Sequence, residues 1–155
     1  MASEALEALY AGDAEKAREL LPPDDRLTVF EAAAFGRVEA LQRMLDDDPG
    51  QAAALSDDGF TALHLAVFGE QEEAARALIE HGADVDALAT SSIARVRPLG
   101  TAAFVRSAPL ARLLLDAGAD VNGQSEGGFT ALDSAKQSGD EELIRLLLER
   151  GAEER

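Results

Sequence analysis

Two histidines, His64 and His81, and thirty carboxylates are the side chains of this sequence best suited to acid–base or metal chemistry. Their spacing supports neither. No His-x-x-x-His pair and no cluster of histidine with carboxylates offers the three or four ligands of a zinc site. Asp84-Val85-Asp86 and Asp120-Val121-Asn122 look superficially like the start of a calcium loop. They lack the twelve-residue ladder of ligands and its closing bidentate glutamate. The glycines form no phosphate-cradling loop. Ser91, Ser92, Ser107, Ser125, Ser134 and Ser138 have no partnered base in predictable reach. Cysteine is absent, which removes disulfides, thiolate zinc sites and a thiol nucleophile. The expectation is a protein that is not an enzyme, with no catalytic residue, metal or cofactor.

The organisation behind these residues is a repeat. Segments beginning at Thr61, Arg97 and Thr130 align without gaps. A fourth begins at Thr28, as far before Thr61 as Arg97 is before Thr130, and the opening ALEALYAGDAEKARELL is a degenerate fifth. Each unit starts at a turn signal such as Asp58-Gly59 or Gly127-Gly128. A threonine hydroxyl then caps a short helix. The chain breaks at Gly12, Gly69 or Gly139 and enters a second, leucine-rich helix. That helix closes at Gly82, Gly118 or Gly151, where glycine adopts positive φ without steric cost. Neither helix can bury its apolar side alone, and stacking successive units gives a continuous core.

These residues carry a family resemblance. Thr61, Leu63, His64 and Ala66, the glycine break, the leucine-rich helix and the Gly-Ala-Asp-Val ending resemble the ankyrin repeat. Pro98 and Leu99 keep the other half of the motif. The departures are Arg97 at the capping threonine, Gly100, Asp133 and Glu31 at the histidine, and three extra residues between Gly82 and Pro98. Repeats one and two end at Pro22-Pro23 and at Asp46-Asp47-Asp48-Pro49. The fold implied is all-α: a single ankyrin-repeat solenoid over 1–155, with about five helix-turn-helix repeats and finger-like turns. The repeats lie near 3–25, 26–56, 57–89, 90–122 and 123–155. The outer units act as caps, with polar faces at Glu4, Glu7, Asp140, Glu141 and Glu142. The histidine slot is structural in the family, which gives His64 a hydrogen-bonding role between turns.

The resemblance also implies a binding face, a palm formed by the first helices and fingers formed by the turns. The exposed palm position falls on Tyr10, Phe35, Phe68, Phe104 and Gln137, and the finger position on Phe60, Val96 and Phe129. Five of six phenylalanines and the one tyrosine lie on that side. Phe30 falls in a leucine slot and reads as core. Aromatic rings anchor interfaces when a partner desolvates them. The same rings can instead pack against neighbouring fingers, and the pattern leaves both readings open. Asp57 and Asp58 add acids to the preceding finger.

Charge gives a second feature. The chain carries −16, from 14 Lys+Arg against 30 Asp+Glu. Such a surface repels nucleic acid and anionic lipid. It either keeps the protein soluble or steers a basic partner, as for an immunity- or antitoxin-like inhibitor. Yet Ala87–Leu115 contains no carboxylate while holding Arg95, Arg97, Arg106 and Arg112. These arginines either meet a partner's carboxylate or phosphate or pair with Asp86 and Glu126. Self-association through the aromatic stripe is a further reading. The expectation is a non-covalent protein-binding module, monomeric when unbound, with no nucleic-acid or membrane partner. The acidic N-terminus lacks a signal-peptide pattern, and no apolar run reaches a membrane span, so the expected location is cytoplasmic. Arginine outnumbers lysine 12 to 2, and the GGFTAL and FGR/FGE phrases resemble those of bacterial ankyrin proteins. The repeat register places Leu114 in the core, and Leu114→Ala is expected to lower stability by about 2–5 kcal/mol in a urea melt.

Overall fold

The computed structural model describes residues 3–154. Residues 1, 2 and 155, the ends of the assigned domain, lie outside the described residues. Among the described residues ten α-helices follow one another as five pairs. They are α1 (Glu4–Tyr10) with α2 (Ala14–Leu20), α3 (Val29–Ala34) with α4 (Val38–Asp47), and α5 (Ala62–Phe68) with α6 (Glu72–Glu80). Two further pairs are α7 (Pro98–Phe104) with α8 (Ala108–Asp116) and α9 (Ala131–Ser138) with α10 (Glu141–Glu149). Among the described residues there is no strand, only an isolated antiparallel bridge between Leu55 and Thr61.

First helices stack on first helices and second on second, as α3, α5, α7 and α9 do in order. The buried face of the first helices is largely alanine, including Ala32, Ala33, Ala62, Ala66, Ala102, Ala103, Ala131 and Ala135. Leucines of the second helices fill the other side. Leu41, Leu45, Leu78, Leu110, Leu114, Leu143 and Leu147 belong to the same core, Leu114 with no exposed surface. Each such leucine contributes about 1.5–3 kcal/mol of burial.

Helix starts are set by reciprocal caps. Thr61 Oγ1 accepts the His64 N–H, and the His64 ring returns a bond to the Thr61 N–H. Glu31 and Asp133, which depart from the family pattern, do the same for Thr28 and Thr130. The position demands an acceptor three residues into the helix, and a carboxylate meets that demand. Arg97 makes no side-chain cap. There Pro98 opens the helix with its φ already helical and no N–H to satisfy.

Arg106 lies past the end of α7, in the turn, and Asp140 caps α10 by accepting the Leu143 N–H. The turn within each pair places one residue in the left-handed region. It is glycine at Gly12, Gly36 and Gly139, but Glu70 (φ 57°) and Arg106 (φ 59°) in the middle pairs. The glycine at 69 serves a different purpose. Its φ is −78°, and an added Cβ would collide with the Ala34 carbonyl oxygen. A left-handed non-glycine residue costs of order 1 kcal/mol, so Glu70→Gly is expected to raise stability by about that amount. Gly69→Ala is expected to lower it by more, because backbone of α3 must move. Equilibrium urea unfolding of the two variants measures both.

Candidate protein-binding site

The C-terminal ends of the first helices and the fingers enclose a concave groove of about 580 Å³. Its floor is aromatic. Phe68 and Phe104 stack with ring centroids 6.4 Å apart and planes 14° from parallel. Tyr10 meets Phe68 edge-on at 5.8 Å and Phe60 at 6.1 Å. Its hydroxyl donates to Asp58 Oδ2 at 3.3 Å. Tyr10 of the first pair thus reaches past the second pair to the third, and closes one end of the groove.

The candidate aromatics divide by environment. Phe104 is 74% exposed and Phe129 59%. Phe68 is half-buried. Phe35 is also half-buried, against the small cluster formed by Leu6, Ala34, Phe60, Leu65 and Ala89, and does not line the groove. Phe60, expected on an exposed finger, is buried at 8%. The next finger covers it, since Thr90 N–H bonds the Gly59 carbonyl and Ala89 packs in the same cluster. Among the described residues no later finger covers Phe129, so the same slot stays open there. The sequence pattern missed Ile93, 63% exposed at the rim of the groove on the elongated finger. Its signal was one large β-branched residue among the small and polar residues of Thr90–Ala94.

That finger is laced on both sides. Ala89 N–H bonds Val96 O across it, and Glu126 N–H bonds Arg95 O of the same finger. His64 anchors its base: Nδ1 accepts from the Thr61 N–H, which leaves Nε2 to donate to the Val96 carbonyl at 2.8 Å. The His64 ring is therefore the neutral Nε2–H tautomer.

The arginines do not act as a set. Arg97 spends its fork on backbone, donating from Nε to Gln124 O at 2.9 Å and from Nη1 to Asp86 O at 2.6 Å. The expected pairing with Asp86 thus runs through its carbonyl, and the Asp86 carboxylate instead accepts the Asp120 N–H. Arg97 is a clamp between fingers. Arg95 and Arg106 stay more than half exposed and lie 3.9 Å from Glu126 and Asp140. Arg112 is exposed on α8, away from the groove. Asp57 is exposed on its finger, whereas Asp58 is engaged by Tyr10.

The motifs that look like calcium loops are structural. Asp84 Oδ1 accepts the Asp86 N–H, and Asp120 Oδ1 accepts the Asn122 N–H. Among the described residues no group of three or more histidines and carboxylates is placed to hold a metal, and no helix is long and apolar enough to cross a membrane.

Burial, followed by the charge and hydrogen bond of Asp58, pushes the Tyr10 phenol far above its ordinary range. Burial lowers the His64 pKa below 6.5, outweighing the Val96 carbonyl. His81 is raised, first by its bond to the Ala77 carbonyl and then by Asp46. The unfolded chain therefore binds a proton at residue 64 before the folded one does. The stability from neutral His64 is complete above pH 6.5 and declines as pH falls below it toward the folded pKa. His81 has the opposite sign, contributing below 6.5 and losing its contribution as pH rises through its raised pKa. His64→Gln is expected to flatten the loss of stability as pH falls below 6.5, read as urea midpoints across pH.

The geometry agrees with comparison to known proteins. The family profile for ankyrin repeats in three copies matches residues 3–89, more than half of the chain, and that for ankyrin repeats in many copies matches 107–148. The chain is 42% identical over 118 residues to a putative ankyrin repeat-containing protein of Treponema pallidum, covering 76% of this chain and 38% of that protein. It is 39% identical over 116 residues to the mouse B-cell lymphoma 3 protein homolog, covering 73% and 25%. Human ankyrin repeat and SOCS box protein 6 is 42% identical over 101 residues, covering 61% and 24%. The chain thus spans well under half the length of these curated relatives. Ankyrin repeats are protein–protein interaction modules, generally without catalytic activity. Helix pairs, reciprocal caps, finger hydrogen bonds and profile matches agree, and the chain belongs to the ankyrin-repeat family.

Proposed function

We propose that this chain binds a partner protein non-covalently through the groove between its first helices and its fingers. One observation carries the reading: Phe104, Phe129 and Ile93, each more than half exposed, gather on one concave apolar surface. Exposed apolar patches of this kind mark interaction sites. Phe68 and Tyr10 extend the surface from below, while Phe60 and Phe35 support it. No step of covalent chemistry enters, and the partner is a protein, not a nucleic acid or a membrane, both of which a charge of −16 repels. The unbound protein is a cytoplasmic monomer.

That charge favours a second reading, in which the acidic surface outside the groove blocks a basic partner in the manner of an immunity protein. Binding would then fall steeply with salt and ignore the groove.

Phe104→Ser with Phe129→Ser is expected to abolish capture of a partner from lysate of the source cells. The exposed sites should leave the melting temperature nearly unchanged, since surface substitutions shift stability by roughly 0.5 kcal/mol or less. Retained capture by the folded double variant rejects the groove in favour of the acidic surface. Concentration-dependent sedimentation of wild type that vanishes in the variant points to self-association.

A further inference from the structure

We infer that the open half of the groove takes an aromatic side chain of the partner that has a carboxylate close beside it in sequence. This rests on docking at the groove, and names what docks.

The protein supplies the first half of the argument from within. In the third repeat an aromatic residue already occupies the palm. The Tyr10 ring lies against Phe68 and against the finger residue Phe60, and its polar tip engages Asp58 on that finger. One repeat along, the same elements recur. Phe104 follows Phe68 by the same interval that separates Arg97 from Thr61. Val96, Thr101, Ile93 and Phe129 complete the wall. Among the described residues Phe68 is the one ring stacked on Phe104, and Phe104 remains 74% exposed. This is a Tyr10-like site without its Tyr10. An aromatic side chain buries about 150–250 Å², an area that the faces of Phe104, Phe129 and Ile93 can supply.

Charge differs between the two halves and decides the partner's polar group. Where Asp58 receives the tip of Tyr10, the matching position two residues before Val96 is Ala94, with Arg95 beside it. No carboxylate occurs anywhere in Ala87–Leu115. The rim presents Arg95, whose acid Glu126 on the same rim lies only at 3.9 Å, and Arg106 follows two residues after the groove-lining Phe104, with Asp140 also at 3.9 Å. Asp140 is further occupied as the cap of α10. A guanidinium with a loose partner exchanges it readily for a carboxylate that meets its fork in the plane. A cation brought to the same rim meets Arg95 as like charge and must compete with it for Glu126. The remainder of the chain is strongly acidic, so long-range repulsion disfavours an acidic tract. The occupant is therefore one carboxylate next to a ring, within an otherwise neutral or basic segment.

The test is selection of short random peptides displayed on phage against the full-length protein. Parallel selections use Phe104→Ser/Phe129→Ser, and Arg95→Glu/Arg106→Glu, each shown to be folded by circular dichroism. The expected wild-type pool is enriched in Phe, Tyr or Trp with Asp or Glu within two residues. Synthetic peptides from that pool should bind on the order of tenfold more weakly to the arginine reversal. The reversal should itself select Lys or Arg beside the ring. Palm-dependent peptides whose aromatic has basic or no charged neighbours would overturn the inference and leave groove docking standing. Peptides indifferent to Phe104 and Phe129, or no enrichment at all, would overturn both. A wild-type dimer in sedimentation that the phenylalanine variant loses would give the site to a second copy of the chain.

Discussion

Close stacking of alanine against alanine along the first helices is the constraint on which the rest depends. Ala32, Ala62, Ala66, Ala102 and Ala135 have no exposed surface at all. Side chains this small bring successive helices together and leave no room for a large residue on the stacked faces. A bulky residue at the end of a first helix is turned off the stacked face, and Phe68 and Phe104 project in this way into the concave side. The groove is thus a by-product of the packing that makes the solenoid continuous. The tolerance is small. At Gly69 even a methyl group would run into the Ala34 carbonyl oxygen.

Hydrogen bonds convert that stack into a fixed arrangement of fingers. The bond from His64 Nε2 to the Val96 carbonyl joins one repeat to the finger of the next, and Arg97 joins Asp86 to Gln124. An arginine fork at a threonine slot forgoes a helix cap and gains two carbonyl acceptors. This exchange accompanies the elongated finger, whose larger loop needs a longer reach to be held. A wall built in this way is organised before a partner arrives, which lowers the ordering cost of association.

Helix pairs, their turns and their stacking order were legible in the sequence because they follow from a periodicity that returns at Thr28, Thr61, Arg97 and Thr130. The capping role of Glu31 and Asp133 was not. They looked like departures from a consensus, and only the returned bond to the cap N–H shows that any acceptor suffices there. Likewise the aromatic positions were legible but their exposure was not. Phe60 and Phe129 share one slot, yet one is 8% exposed and the other 59%. The difference lies in whether another finger follows, a property of neighbours that no single repeat encodes. Tyr10 shows the same limit, since its partners Asp58 and Phe68 belong to the third repeat, beyond the whole of the second.

The charge distribution has a comparable logic. Several of the thirty acids serve the backbone: Asp13, Glu31, Asp48, Asp84, Asp120, Asp133 and Asp140 accept main-chain N–H groups at caps and turns. Acceptors at helix starts also meet the positive end of the helix dipole, so part of the acidity is architectural. The fourth repeat places no acid at these starts: Gly100 stands where Glu31 and Asp133 return their bonds, and Ser107 caps α8 with a hydroxyl. A repeat that needs no acidic caps can stay free of acid through its finger and both helices until Asp116. The acid-free stretch that holds Arg95 and Arg106 then follows from how that one repeat begins its helices.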